Sequence, residues 1–217
     1  MKGFVVALMI LSSGLLRAQE AYIRELSGTV EVQAPGAAVW TAAETGQRIT
    51  GDTRISTGFK SIASIVLGNS TLMVRPLTRL SLDELRNIQG NEEVRLYLQS
   101  GRIRVNVKPP VGGKTGFTVR SPMITASVRG TSFTFDGVNL QVDEGQVHAA
   151  GEDGGGVYVG TGHRTVSDPE TGRAAGGMET AREDLTPDLP AGAAGTMPEP
   201  AAIIPQAADY GFGFRWD

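Results

Sequence analysis

The side chains that could do chemistry in this sequence are few and dispersed. His148 and His163 are the only histidines. Neither has a carboxylate cluster at ligand spacing, so no metal site or general base is expected from them. Asp52 follows Gly51 just before an apolar run, where an aspartate could serve as an acid. Gly-Asp in that setting reads instead as an Asx-type turn whose carboxylate accepts a local backbone N–H. The pairs Asp83-Glu84 and Glu92-Glu93 flank the polar loop RNIQGNE (86–92) and read as solvated edges. TGDT and STG are turn sequences, leaving no serine with a credible base, and the glycines between 154 and 162 do not open onto a helix that could cradle a phosphate. The absence of cysteine removes thiol nucleophiles, thiolate metal ligands, disulfides and a cysteine-linked lipid anchor. No cofactor or metal is expected, and an enzyme is the weakest functional class.

The cations say more. Between 75 and 129 there are ten Lys and Arg against four Asp and Glu, in a chain whose formal net charge is −3. If residues 98–103 form a hairpin, Val94, Leu96, Leu98, Ile103, Val105 and Val107 point inward. That leaves Arg95, Tyr97, Arg102, Arg104, Asn106 and Lys108 on one outer face. Such a stripe could hold an anionic glycan, a lipid phosphate or an acidic partner surface. The plainer reading is that these side chains solvate the face and blunt edge pairing. Nucleic acid is not expected for an exported chain with a pI near 5.5.

The elements that must position these residues are strands. Apolar and polar residues alternate in short runs, as in Leu26, Val30 and Val32; Ala63, Ile65 and Leu67; Leu72 and Val74; Leu140 and Val142. Each run is closed by Gly, Asn, Asp or Ser, the pattern of half-buried strands joined by tight turns. LQSGRI (98–103) and VDEGQV (142–147) share one device, with Gly101 and Gly145 as the residues able to take a positive φ, and both read as hairpins; LGNSTL (67–72) keeps the spacing. More than ten such strands predict an all-β, compact stacked β-roll or solenoid-like sandwich over residues 21–166.

One stretch, TVRSPMITASVRGTSFTF (118–135), carries a change of parity. Ile124, Ala126 and Val128 occupy even positions, whereas Phe133 and Phe135 are odd. A bulge or tight bend must absorb one residue, and Gly130 is suited to it. Pro122, which cannot donate to a ladder, sets the strand's start at a corner or edge. Arg129 is expected beside the bend as a salt-bridge partner or carbonyl clamp, with partner contact as the alternative.

The two ends differ from this middle. Residues 1–18 have a positive start, a short apolar run from Phe4 and a small-residue exit, the layout of a secretory signal peptide cleaved after Ala18. The apolar run is shorter than the roughly 20 residues needed to span a bilayer, so a soluble mature chain in the periplasm or cell envelope is expected. Residues 21–166 hold 15 Lys and Arg against 13 Asp and Glu, but 167–217 hold 3 against 9. With stretches such as LTPDLPAGAAGTMPEPAA, residues 167–208 read as a disordered acidic linker. The final DYGFGFRWD (209–217) then spaces Tyr210, Phe212, Phe214 and Trp216 at period two. That segment is strand-like and suited to adding to a sheet edge, either of its own domain or of another envelope protein.

Four motifs stand in order: GDTRISTGFKSIASIVLGNSTLMVRPLTRLSL (51–82), LYLQSGRIRVNV (96–107), FTVRSPMITASVRGTSFTF (117–135) and VDEGQVHA (142–149). Together with the lead-in SGTVEVQAPGAAVWTAAETGQRI (27–49), they resemble the FecR-type periplasmic domain of iron-dicitrate regulators. The resemblance covers about two thirds of the chain. Those regulators carry a sigma-binding segment and a transmembrane helix where this sequence has its leader. What the resemblance implies is therefore a stand-alone envelope module, a sensory or scaffold domain that binds a partner protein, such as an outer-membrane protein, without catalysis.

Overall fold

The computed structural model describes residues 21–151, 155–167 and 174. The expected leader and the aromatic terminal strand lie outside the described residues, as does the expected linker apart from Ser167 and Ala174. Among the described residues there are strands, turns and bends but no helix, and hence no helix long and apolar enough to cross a membrane.

Seventeen strands follow from the alternation. The first seven are β1 (Ala21–Ser27), β2 (Val30–Gln33), β3 (Thr41–Ala42), β4 (Arg48–Ile49), β5 (Thr53–Thr57), β6 (Ile62–Leu67) and β7 (Ser70–Val74). Next come β8 (Arg79–Ile88), β9 (Asn91–Ser100), β10 (Ile103–Asn106), β11 (Thr115–Arg120) and β12 (Ile124–Val128). The last are β13 (Ser132–Phe135), β14 (Asn139–Glu144), β15 (Gln146–Gly151), β16 (Gly156–Gly160) and β17 (Arg164–Val166).

They form two sheets, ordered β17-β14-β13-β10-β7-β6-β1-β4 and β16-β15-β12-β11-β9-β8-β5-β2-β3. Position across each sheet follows position along the chain, because the chain crosses from one sheet to the other after every one or two strands. The result is the stacked, sandwich-like roll that the alternation predicts. Inward residues of both sheets meet in one core that runs from Ile23 to Val159 and includes Phe117, Phe133 and Phe135, each almost wholly buried. Alternation alone places these residues: a period of two puts every second side chain between the sheets.

The frequent crossings overturn part of the hairpin reading. LGNSTL is a hairpin, since β6 and β7 pair from Ala63↔Val74 to Leu67↔Ser70. LQSGRI and VDEGQV are not: Gly101 carries the chain from β9 in one sheet to β10 in the other, and Gly145 from β14 to β15. A tight glycine turn serves a cross-sheet corner as well as a hairpin, and the sequence around it is the same for both. The Val128–Phe133 parity change has the same origin. Val128 ends β12 in one sheet and Ser132 begins β13 in the other, with Gly130 at φ 61 in the corner rather than in a bulge within one strand.

Buried threonines bind the corners together. Thr57 Oγ1 donates to Arg75 O at 2.6 Å and accepts from Thr78 N at 3.0 Å. Thr78 Oγ1 in turn accepts from Arg102 N at 3.0 Å, and Thr131 Oγ1 donates to Gln146 O at 3.0 Å. Each such bond contributes about 1 kcal/mol net, and each would cost more if one partner were left buried and unpaired. Ser167, the first residue of the expected linker, is buried, donates its N–H to Val138 O at 2.9 Å and bridges Ala174.

Candidate binding surface

The topology divides the expected basic stripe. Arg95 and Tyr97 project from β9 on the outer side of the nine-stranded sheet, whereas Arg104 and Asn106 project from β10 on the outer side of the eight-stranded sheet. Arg102 and Lys108 flank β10 at its two ends. One continuous cationic face therefore does not exist, because the 98–103 segment crosses between sheets instead of folding back. Most of these cations are also compensated. Arg95 reaches Glu84 at 2.7 Å and Glu93 at 2.9 Å, Arg102 reaches Asp136 at 3.1 Å, and Arg104 reaches Asp143 at 3.1 Å. Arg86 also pairs with Glu84.

The carboxylates depart from expectation at one point. Glu93 is partly exposed, but Glu92 is buried, only 4% exposed, and is not a solvated edge. It points inward from β9, and its nearest polar partners come from both sheets. Asn69 Nδ2, on the β6–β7 hairpin, donates to Oε1 at 2.8 Å, while Asn69 N and Thr115 Oγ1 approach Oε2 at 3.5 Å. Burial pushes the Glu92 carboxyl above its ordinary value, and these hydrogen bonds only partly oppose that. Asp136 balances the other way. Burial raises it, but the N–H groups of Asn139 and Val138, the Asn139 side chain and the Arg102 guanidinium together hold it below its ordinary value.

The other predicted positions fall in turns, at corners and on β15. Asp52 sits in a turn at φ 65; its N–H donates to Leu82 O at 2.6 Å, and Thr50 N bonds to Thr53 Oγ1 rather than to the Asp52 carboxylate. Pro122 lies in the turn between β11 and β12, where Ser121 Oγ accepts the N–H groups of Met123 and Ile124 at 3.2 and 3.1 Å. Arg129 is exposed, and among the described residues its guanidinium has neither an ion pair nor a hydrogen bond. The clamp expected of it is supplied by its neighbour Thr131. His148 lies on β15, its ring centroid 4.7 Å from that of Tyr158, and His163 Nδ1 lies 3.0 Å from Thr161 O. Among the described residues no group of three His, Asp or Glu could hold a metal ion.

A different feature breaks the inside-outside rule. Phe59 is 74% exposed and Leu77 is 61% exposed, on two neighbouring corner loops joined by the Leu77 N–H to Gly58 O bond at 3.2 Å. Lys60 and Leu77 hold φ values of 54 and 56, in the left-handed region that non-glycine residues rarely occupy. Beside Leu77 opens a cavity of about 810 Å³ lined by Arg75, Pro76, Gly101, Arg102, Asp136 and Asn139, among others. Phe59 and Leu77 escape a periodicity search because TGFKS and RPLTR read as turns. The available signal is a large apolar residue inside a turn sequence.

Comparison with known proteins is consistent with the ordered motifs. The family model described as "FecR protein" matches residues 53–151, from the first residue of β5 to the last of β15. Two crystal structures of a "putative anti-sigma factor" from Parabacteroides distasonis ATCC 8503, at 1.65 and 2.50 Å resolution, are similar at 16% identity with TM-scores of 0.46 and 0.47. The similarity covers 56% of this chain and 57% of those chains, so this chain spans little more than half their length. Comparison with curated proteins gives no match. Over residues 53–151, then, this chain is similar to the FecR family.

Proposed function

We propose that this chain is a non-catalytic recognition module of the cell envelope, exported by the leader at 1–18, whose FecR domain binds a partner protein through the corner ridge of Phe59 and Leu77. The observation that carries this reading is the exposure of two large apolar side chains on loops held in strained backbone conformations. Each left-handed non-glycine residue costs on the order of 1 kcal/mol, and such strain persists where the surroundings fix it for a purpose. Burying the two side chains against a partner would contribute about 1.5–3 kcal/mol each, with Arg75 and the cavity beside Leu77 supplying a polar rim. The aromatic segment 209–217 offers a second contact, for its own domain or for the partner.

An anionic glycan or lipid held by Arg95, Arg102, Arg104 and Lys108 is disfavoured, because these residues do not share a face and three of the four are ion-paired. The test is affinity purification of the full-length chain from envelope extracts at low and high salt. Salt-resistant co-purification of one protein, lost in Phe59→Ser/Leu77→Ser with an unchanged melting temperature, is expected. Co-purification that survives the double substitution would overturn the ridge as the contact.

A further inference from the structure

We infer that the outer side of the nine-stranded sheet carries a separate binding groove for a carboxylate-bearing oligosaccharide, away from the Phe59–Leu77 ridge. Cross-strand register places Gln33 beside Arg54, Arg54 beside Ser81 and Ser81 beside Tyr97, one outward row from β2 to β9. These residues, with Trp40 and Arg79, line a groove of about 480 Å³. Trp40, just before β3, stands at one end, and Tyr97, on β9, stands at the other. With β2, β5 and β8 between them, the two backbone positions are four strand spacings, about 19 Å, apart, and the span between the rings is shorter because the Trp40 ring meets the Arg79 guanidinium, which comes from β8, at 5.7 Å. That span suits about two pyranose rings, whose apolar faces pack on aromatic rings while their hydroxyls meet the Gln33 amide; the Ser81 hydroxyl already donates to Asp83 Oδ1 at 2.6 Å.

Between the aromatics lie two cations that no carboxylate neutralises. The Arg54 Nη1 group donates to the neutral Gln33 Oε1 at 3.3 Å, and Gln33 is itself buried. The Arg79 guanidinium lies 5.7 Å from the centre of the Trp40 ring. Neither arginine has an ion pair among the described residues, in contrast to Arg86 and Arg95 farther along the same face, which Glu84 and Glu93 compensate. A guanidinium fork presented without a counter-charge matches a carboxylate in two parallel hydrogen bonds. Rigid aromatic walls with a few convergent polar groups are the composition of a small-ligand site. Arg54, Arg79 and Trp40 were not among the residues marked by the sequence, because their convergence needs strands that are separated along the chain.

The probe is trigalacturonate, added to the full-length chain in a Trp216→Phe background so that Trp40 is the sole tryptophan. Saturable fluorescence quenching that weakens with added salt is expected. Arg54→Ala/Arg79→Ala should lose about tenfold or more in affinity, and so should Trp40→Ala, whose binding is read by isothermal titration calorimetry because the fluorophore is gone, with circular dichroism unchanged. Arg54→Lys/Arg79→Lys keeps the charge but removes the fork, and should bind more weakly than the wild type. The proposal is overturned by absent saturation, by equal affinity for neutral maltotriose, by equal affinity for acetate alone, or by binding that survives Trp40→Ala. None of these outcomes bears on co-purification through Phe59 and Leu77.

Discussion

Gly101 and Gly130 occupy two cross-sheet corners, and replacing each by alanine should separate two physical costs. Both residues have positive φ, 90 and 61 respectively, so both substitutions carry the left-handed penalty of about 1 kcal/mol. Only one carries a clash as well. A Cβ on Gly101 would lie 2.7 Å from Leu77 O and closer still to Thr78 Cα and Oγ1, whereas a Cβ on Gly130 meets nothing nearer than Pro109 Cδ at 3.7 Å. Thr78 cannot easily retreat, because its Oγ1 accepts from Arg102 N at 3.0 Å and its backbone N donates to Thr57 Oγ1 at 3.0 Å. Forcing an extra methyl there costs about 1–3 kcal/mol, and loosening the threonine bonds adds about 1 kcal/mol. Gly101→Ala should therefore destabilise by about 3–5 kcal/mol and Gly130→Ala by about 1 kcal/mol. At about 2–4 °C per kcal/mol for a domain of this size, thermal melts followed by circular dichroism should show a drop of about 6–20 °C against one of about 2–4 °C. Urea titration should give a lower midpoint at unchanged slope for both. Equal losses for the two variants would refute the idea that corner packing, rather than φ alone, selects glycine at 101. Gly130→Val, with its branched Cβ at positive φ, should cost more than Gly130→Ala.

Two carboxylates should pull pH dependence in opposite directions. Burial holds the folded-state pKa of Glu92 above the ordinary glutamate value of 4.5, so its contribution is present below that value and is lost as pH rises through the folded pKa. Glu92→Gln should flatten that slope and melt no lower than wild type at pH 7; a lower melting temperature at pH 7 that recovers at acid pH would contradict it. Against burial, its hydrogen bonds hold the folded-state pKa of Asp136 below the ordinary aspartate value of 3.8, so its contribution is present above 3.8 and is lost as pH falls through the lower folded value. Asp136→Asn should therefore be destabilising at neutral pH, with the deficit shrinking in strong acid, which melts across the acid range would check. Deleting residues 209–217 distinguishes docking on the parent domain from docking elsewhere: a melting temperature lowered by several degrees assigns the aromatic segment to its own domain, and an unchanged one leaves it for a partner.

Much of the fold was legible because alternation is a local property. Val94, Leu96 and Leu98 had to face one way and Arg95 and Tyr97 the other, whatever the sheet around them. The same logic marked Ile124, Ala126, Val128, Phe133 and Phe135 as core and required a break between Val128 and Phe133. The ordered glycine and proline motifs, which resemble those of the FecR family, were legible for the same reason, since each is a requirement on the backbone at one place. Local pattern could not say whether a glycine turn returns a strand to its neighbour or sends it to the opposite sheet. LGNSTL and LQSGRI differ in that outcome although their spacing is alike.

That single ambiguity decided the site. With 98–103 as a cross-sheet corner, Arg95 and Arg104 part to opposite outer faces, and the cationic stripe dissolves into separate ion pairs with Glu84, Asp143 and their neighbours. With the chain crossing repeatedly, Gln33, Arg54, Ser81 and Tyr97 come into one row, and Asn69 from one sheet reaches Glu92 in the other. Which side of its own strand each residue faces is written in the order of residues, because it follows from a two-residue period. Which strands lie side by side emerges only on folding, because pairing is set by the path of the chain between sheets and by the burial that path achieves.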